Sequence, residues 1–192
     1  MISEQLKELI RPAILVQKLI WFVIVGSIIF YIGFVYIFIG GNKSLTSSIG
    51  SNLELLIYIL TGAFLLGSIL YYRYSLSDSR LKHFLSRDVD LEFLAKDPRT
   101  TKIDTGKLAK LNSLSVLEAR IYSLMFELQK ITILSLILNE LIVIFGSAIA
   151  FMNEDVSKIL PFGIVSLVLS FWMFPRAQSI IKRAEQLIST NE

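Results

Sequence analysis

Residues 131–152 read Ile-Thr-Ile-Leu-Ser-Leu-Ile-Leu-Asn-Glu-Leu-Ile-Val-Ile-Phe-Gly-Ser-Ala-Ile-Ala-Phe-Met, with one formal charge, Glu140, near the middle. A helix needs roughly 20 apolar residues to cross the hydrocarbon of a bilayer, within a range of about 17–25. In lipid every backbone polar group needs an internal partner, and a helix supplies one. This stretch therefore predicts a transmembrane helix despite its β-branched content.

Three similar blocks lie outward from it: Leu19–Gly41, Leu55–Tyr72 and Ile159–Phe174. The last is short, and extends to Val156 if Lys158 snorkels outward. Trp172 near its other end suits a membrane interface. The chain is 54% hydrophobic and 18% charged, where soluble domains carry about a quarter charged residues. The apolar excess falls into blocks, as expected of a membrane protein. The fold class expected is all-α, with four transmembrane helices in two hairpins. The parts are an amphipathic segment 1–18, a first hairpin 19–72, a helical loop 73–130, a second hairpin 131–174 and an amphipathic helix 175–192. The first eighteen residues carry Glu4, Lys7, Glu8, Arg11 and Lys18, and the next apolar run is too long for a signal peptide. That run is expected to remain as an anchor.

Orientation follows from Lys and Arg. Segment 1–18, the loop and the tail hold 17 of them, against Lys43 and Lys158 in the two other connections. The positive-inside rule then places both termini and the loop in the cytoplasm, and an integral protein of a bacterial inner membrane is expected.

Within the loop, Ser77-Asp78-Ser79 offers a cap for a helix carrying Leu81, Phe84 and Leu85. Asp97-Pro98 breaks the chain. Ser115 and Glu118 have capping-box spacing. Leu114, Leu117, Ile121, Leu124 and Leu128 follow at spacings of three and four, so one helix is expected to run from here into block 131–152. Its stripe packs on another loop helix or docks a partner, and periodicity does not choose between them. Ile2, Leu6, Leu9 and Ile10 share a face, as do Ala177, Ile180, Ile181, Ala184, Leu187 and Ile188. Such helices lie at the headgroups or pack on the loop. Asp88, Asp90, Glu92 and Asp97 interrupt the basic charge, which argues against nucleic acid.

Chemistry is sparse. No cysteine is present, which excludes disulfides, thiolate sites and cysteine nucleophiles. The single histidine, His83, cannot build a multi-histidine metal site within one chain. No nucleophile–base pair, carboxylate pair or metal cluster is evident, so no enzyme activity, cofactor or metal is expected. Gly41-Asn42-Lys43-Ser44 lacks the upstream spacing of a phosphate loop.

Glu140 is the main candidate, because an intramembrane carboxylate is costly and functional by default. With no Lys or Arg at its depth, it should be a neutral hydrogen-bonded acid or hold a cation. Asn139 lies beside it. Partners on other helices are Ser27 and Tyr31, Thr61 and Ser68, and Ser166 and Ser170. Two readings stand: an interhelical hydrogen bond, or a proton or cation site. Ala63 with Gly67, and Gly146 with Ala150, have the four-residue spacing that permits close helix packing.

Asn139-Glu140-Leu141-Ile142-Val143-Ile144-Phe145-Gly146 resembles the carboxylate-bearing helix of rotary ATPase proteolipids. Gly26-Ser27 and Gly33 match Asn139-Glu140 and Gly146 at a constant offset, as in a doubled hairpin. The resemblance covers one helix and implies Glu140 as ion ligand. The bulky helices and the long loop depart from that family, and the assignment is not adopted. Flagellar-type stator subunits and reticulon-like membrane-shaping proteins share only the layout.

The function expected is that of a non-catalytic membrane subunit that assembles with or regulates a larger complex. Its partners would be the lipid bilayer with other membrane subunits or further copies of itself, and no nucleic acid. The alternatives are a proteolipid-like or channel-like proton or cation pathway through Glu140, and a membrane-shaping or lipid-binding hairpin protein. Topology is open to direct test. Cysteines placed at Ser47 and Asn153 should label from outside intact cells, and one at Ser86 should not; the reverse pattern would invert the orientation.

Overall fold

The computed structural model describes residues 3–40, 51–96 and 102–189. The pairs Asp97-Pro98 and Lys43-Ser44, together with Ile2 and Ser47, lie outside them, as does the side chain of Ile188. The helices are α1 (Glu4–Gly40), α2 (Ser51–Ser75), α3 (Asp78–Ser86), α4 (Leu91–Ala95), α5 (Thr105–Asn112), α6 (Val116–Asn153), α7 (Ile159–Trp172) and α8 (Ala177–Ser189). A 3-10 turn at Val156–Lys158 leads into α7. Among the described residues there is no strand, only an isolated bridge between Lys96 and Ile103.

Three helices, α1, α2 and α6, are long and apolar enough to cross a membrane. A fourth crossing counts only if α7 and α8, bent by 47° at their junction, are taken together. The reason lies in length. The 14 residues of α7 rise about 21 Å, short of a hydrocarbon core of about 30 Å. Pro175 then disfavours helical backbone at Phe174, and the chain turns before α8.

The chain forms two compact units. The apolar unit comprises residues 18–73 and 132–175. Its centre is α6. Leu136, Val143 and Ala150, each seven residues from the next, pack with Trp21, Ile28 and Val35 of α1 and Ile159 of α7. Ile142 and Ile149 pack with Ile57 of α2 and Phe162 and Leu169 of α7. Such sevenfold spacing keeps one helix seam against its neighbours. Glycine permits the closest approaches. A Cβ at Gly146 would stand 2.5 Å from Phe162 Cβ, and one at Gly163 would stand 2.5 Å from Ile32 Cδ1. Ala150, one turn beyond Gly146, is fully buried. Ala63 and Gly67 differ. Both are exposed on α2, and a Cβ at Gly67 would meet no heavy atom within 4 Å. Among the described residues they bring no other helix close.

The polar unit comprises residues 1–17, 74–131 and 176–192. Leu6 and Ile10 of α1, Leu81 and Leu85 of α3, Leu94 of α4, Leu111 of α5, Ile121, Leu124, Met125 and Leu128 of α6, and Ile181 of α8 share one core. The amphipathic faces of both tails are therefore packed on the loop. The α6 stripe is buried from Ile121 onward, whereas Leu117, one turn earlier, is exposed. Two short helices, α4 and α5, were not anticipated. Asp90 and Asp104 start them, their carboxylates accepting the N–H of Phe93 and Lys107, each at 2.9 Å. Ser77 precedes α3 but makes no side-chain capping bond.

At the start of α6 the capping box forms, with Glu118 Oε2 accepting from the N–H (3.1 Å) and hydroxyl (3.0 Å) of Ser115. Its other oxygen accepts the Ser3 N–H at 2.9 Å, which fastens the start of α1. The Glu118 carboxyl stands thirteen residues before block 131–152. Hydrogen bonds from the Ser3 side chain and backbone, then from Ser115, hold it at about 2, against an ordinary 4.5. A depressed carboxyl stabilises the fold fully above its ordinary value and loses that contribution as pH falls toward the folded value. Protection of the Leu6 amide from hydrogen exchange, taken relative to the intrinsic rate at each pH, should therefore fall between about pH 4.5 and 2. In Glu118→Gln that protection should be lower at neutral pH and flat across that window; an unchanged acid response would show that this clamp is not its source.

Candidate functional site

In the apolar unit, α6 presents Asn139 and Glu140 side by side, with Asn139 fully buried and Glu140 half-buried. Consecutive helix positions point about 100° apart, so the two residues meet different neighbours. Asn139 faces α7. Its Nδ2 donates to the Ser166 carbonyl at 2.7 Å and to Ser170 Oγ at 2.6 Å. Ser166 Oγ donates back to the Asn139 carbonyl at 2.9 Å. Trp21 Nε1, from α1, donates to the Ser170 carbonyl at 2.6 Å. A carbonyl only accepts, so the Ser166 contact fixes the orientation of the Asn139 amide.

Glu140 faces α1, where its Oε1 lies 2.5 Å from Ser27 Oγ. The same hydroxyl lies 2.8 Å from the Ile24 carbonyl one turn earlier. One hydroxyl proton cannot serve both acceptors. Ser27 donates to one or the other at a time: its bond to Glu140 ties α1 to α6, and its bond to Ile24 stays within its own helix. From α2, Ser68 Oγ donates to the Ser135 carbonyl at 3.2 Å. Thr61 Oγ1 turns back to the Ile57 carbonyl of its own helix at 2.8 Å.

The structure thus divides the residues singled out from the sequence. Ser27 reaches Glu140, whereas Ser166 and Ser170 serve Asn139. Tyr31 is half-buried against the apolar residues of its unit, and among the described residues no hydrogen bond joins it to Glu140. The Trp21–Ser170 bond was missed, because an indole near an interface signals depth and not its partner. Two buried atoms one turn apart on α6, Ser135 Oγ and Asn139 Oδ1, take no partner among the described residues. No group of three or more His, Cys, Asp or Glu with metal-holding geometry occurs among the described residues. What this arrangement does chemically is join α1, α2 and α7 to α6.

No protein-family model, curated protein or solved structure matches the chain.

Asn139 and Glu140 should separate on substitution. Asn139→Leu removes two side-chain bonds to α7 and should lower the thermal midpoint in mild detergent. Interhelical bonds in membranes are each worth about 0.6 kcal/mol, up to about 1.7. Glu140→Gln keeps size and hydrogen-bonding capacity and should shift the midpoint far less. A Gln variant as destabilised as Asn139→Leu would show that the acid group has a structural role no amide can fill.

Proposed function

We propose that this chain is a non-catalytic integral membrane subunit that assembles with, or regulates, a larger membrane complex. It crosses the bilayer four times, with both termini and the loop on the cytoplasmic side. The observation that carries this reading is the use of the polar side chains in the apolar helices. Asn139, Ser166, Ser170, Trp21, Ser27, Glu140 and Ser68 all join one helix to another.

Several features favour four crossings. Preceded by its 3-10 turn, α7 reaches about 27 Å, close to the hydrocarbon thickness. Trp172 packs on Tyr72 with ring centroids 5.4 Å apart. Trp21 packs on Phe171 at 5.3 Å and on Phe174 at 5.0 Å. That gathers the aromatic ends of α1, α2 and α7 at one level, as an interfacial belt requires. At the opposite ends of α2 and α7, Lys158 Nζ lies 3.4 Å from Glu54 Oε1. The chain changes unit at residues 17–18, 73–74, 131–132 and 175–176. Beside those points stand Lys18, Arg73, Lys130 and Arg176, all exposed. Cations at every such point suit the inner leaflet.

For assembly, α2 offers a surface with small residues on it. Leu55, Leu56, Ile59, Leu66 and Leu70 are exposed on it, together with Ala63 and Gly67. A second subunit can approach closely there. A second reading, a proton or cation pathway, is favoured by one observation: Glu140 is only half-buried, with a single hydroxyl partner.

Native mass spectrometry of the chain, extracted in mild detergent from its own membrane, tests the choice. A stoichiometric complex with a different membrane protein is expected. Ala63→Leu with Gly67→Leu should preserve the fold and release that partner. A homo-oligomeric ring would support the pathway reading, and a monomer unaffected by the substitutions would defeat the subunit reading.

A further inference from the structure

A groove of about 350 Å³ lies between α2 and α7, within the apolar unit. Tyr58, Gly62 and Leu65 form one wall, Phe162 and Val165 the other, and Ile142 the floor. It is open because Gly62 has no side chain: a Cβ there would find no heavy atom within 4 Å. At its rim end the two walls touch, where Tyr58 stacks on Phe162 with centroids 5.6 Å apart and planes 25° apart. Thr61, also on the lining, keeps its hydroxyl on the Ile57 carbonyl, so the slot stays apolar. From Tyr58 to Leu65 it descends about 10 Å along α2.

Its rim is polar, formed by Ser157 and Lys158. Lys158 Nζ stands 3.4 Å from Glu54 Oε1, longer than the roughly 2.7–2.9 Å of a tight charge-assisted bond. Asp155 Oδ1 accepts the Ser157 N–H at 2.9 Å. The Asp155 carboxyl sits below its ordinary range, first through hydrogen bonds from Ser157 and further through the charge of Lys158. The rim cation thus stands beside the Glu54 carboxylate, and the Asp155 carboxylate is tied to the rim through Ser157, above an apolar slot. A headgroup bearing only negative charge would meet more repulsion than attraction. A zwitterion with a phosphate and an N–H-bearing ammonium complements all three charges, and a quaternary ammonium has no proton to donate.

Resting on the membrane reading above, we propose that this groove is a site for one phospholipid with a zwitterionic, amine-bearing headgroup. The phosphate meets Lys158 and Ser157, the ammonium meets Glu54 and Asp155, and the upper part of one acyl chain fills the slot. A lipid held there covers the seam between α2 and α7 and ties the short α7 to its neighbour.

The test uses the full chain in mild detergent, with phosphatidylethanolamine, phosphatidylcholine and phosphatidylglycerol added separately at equal concentration. Native mass spectrometry should show one bound phosphatidylethanolamine, preferred over either other lipid by roughly fivefold, about 1 kcal/mol. Gly62→Leu should fill the slot and abolish that adduct. Val165→Trp, which fills it from α7, should do the same and serves if the first variant does not fold. Glu54→Gln with Asp155→Asn should keep lipid binding and erase the preference. Equal adducts in wild type and both slot-filling variants, or phosphatidylglycerol bound as well as phosphatidylethanolamine, would overturn the proposal. Carbonate extraction separates the two levels. A carbonate-resistant chain without the adduct defeats the groove alone, whereas a chain released by carbonate defeats the membrane reading and the groove with it.

Discussion

The apolar unit depends on one buried amide. Asn139 is fully buried, so its side chain must find partners within the protein or carry a desolvation penalty of about 1–3 kcal/mol. Its Nδ2 finds them on α7, and α7 answers through Ser166, while Oδ1 takes no partner among the described residues. This exchange sets the rotation of α6 about its axis. Once that rotation is set, Glu140 must point toward α1, and the seams 136/143/150 and 142/149 must point to their separate clusters. Apolar contacts alone would tolerate other rotations, because hydrophobic attraction is non-directional. The polar bonds remove that freedom, and Gly146 and Gly163 then allow the close approach that makes them reachable.

The polar unit obeys a different rule. Its short helices have little packing of their own, so their ends carry the specification. Asp90, Asp104 and the Ser115–Glu118 box each pair orphan N–H groups of a first turn. Lys107 reaches over to the Leu94 carbonyl at 2.6 Å and lies over the rings of Tyr122 and Phe126. That links α5 to both α4 and α6 through one half-buried side chain, whose alkyl stem suits an apolar setting. The tails complete the same core through Leu6, Ile10 and Ile181.

Much of this was legible in the residues. Apolar blocks are visible because no other composition leaves so many large side chains exposed, and the capping box marked where α6 begins. The fourth block was read as a crossing, and the helix found there is too short to qualify alone. The remainder was not legible for identifiable reasons. The helices α4 and α5, of five and eight residues, are too short to show a period, and the one signal for each is the Asp that precedes it. Partnering of the polar residues depends on helix rotation, which spacing along one helix cannot supply. Hence Ser166 and Ser170 were candidates for Glu140 and belong to Asn139. Small-residue pairs mark where close approach is allowed without saying to what: Gly146 meets Phe162, while Ala63 and Gly67 are exposed among the described residues.

The shortness of α7 bears on how the protein is made. A 14-residue apolar helix that also carries two buried serines is a poor candidate to partition into lipid by itself. Both serine hydroxyls pair with Asn139, and the connection back to α6 is a handful of residues. In the membrane proposed here, α7 would therefore leave the insertion machinery together with α6, as a preformed hairpin. Biogenesis then has an order: α6 must wait, unreleased, until the ribosome has delivered the segment that pairs its amide.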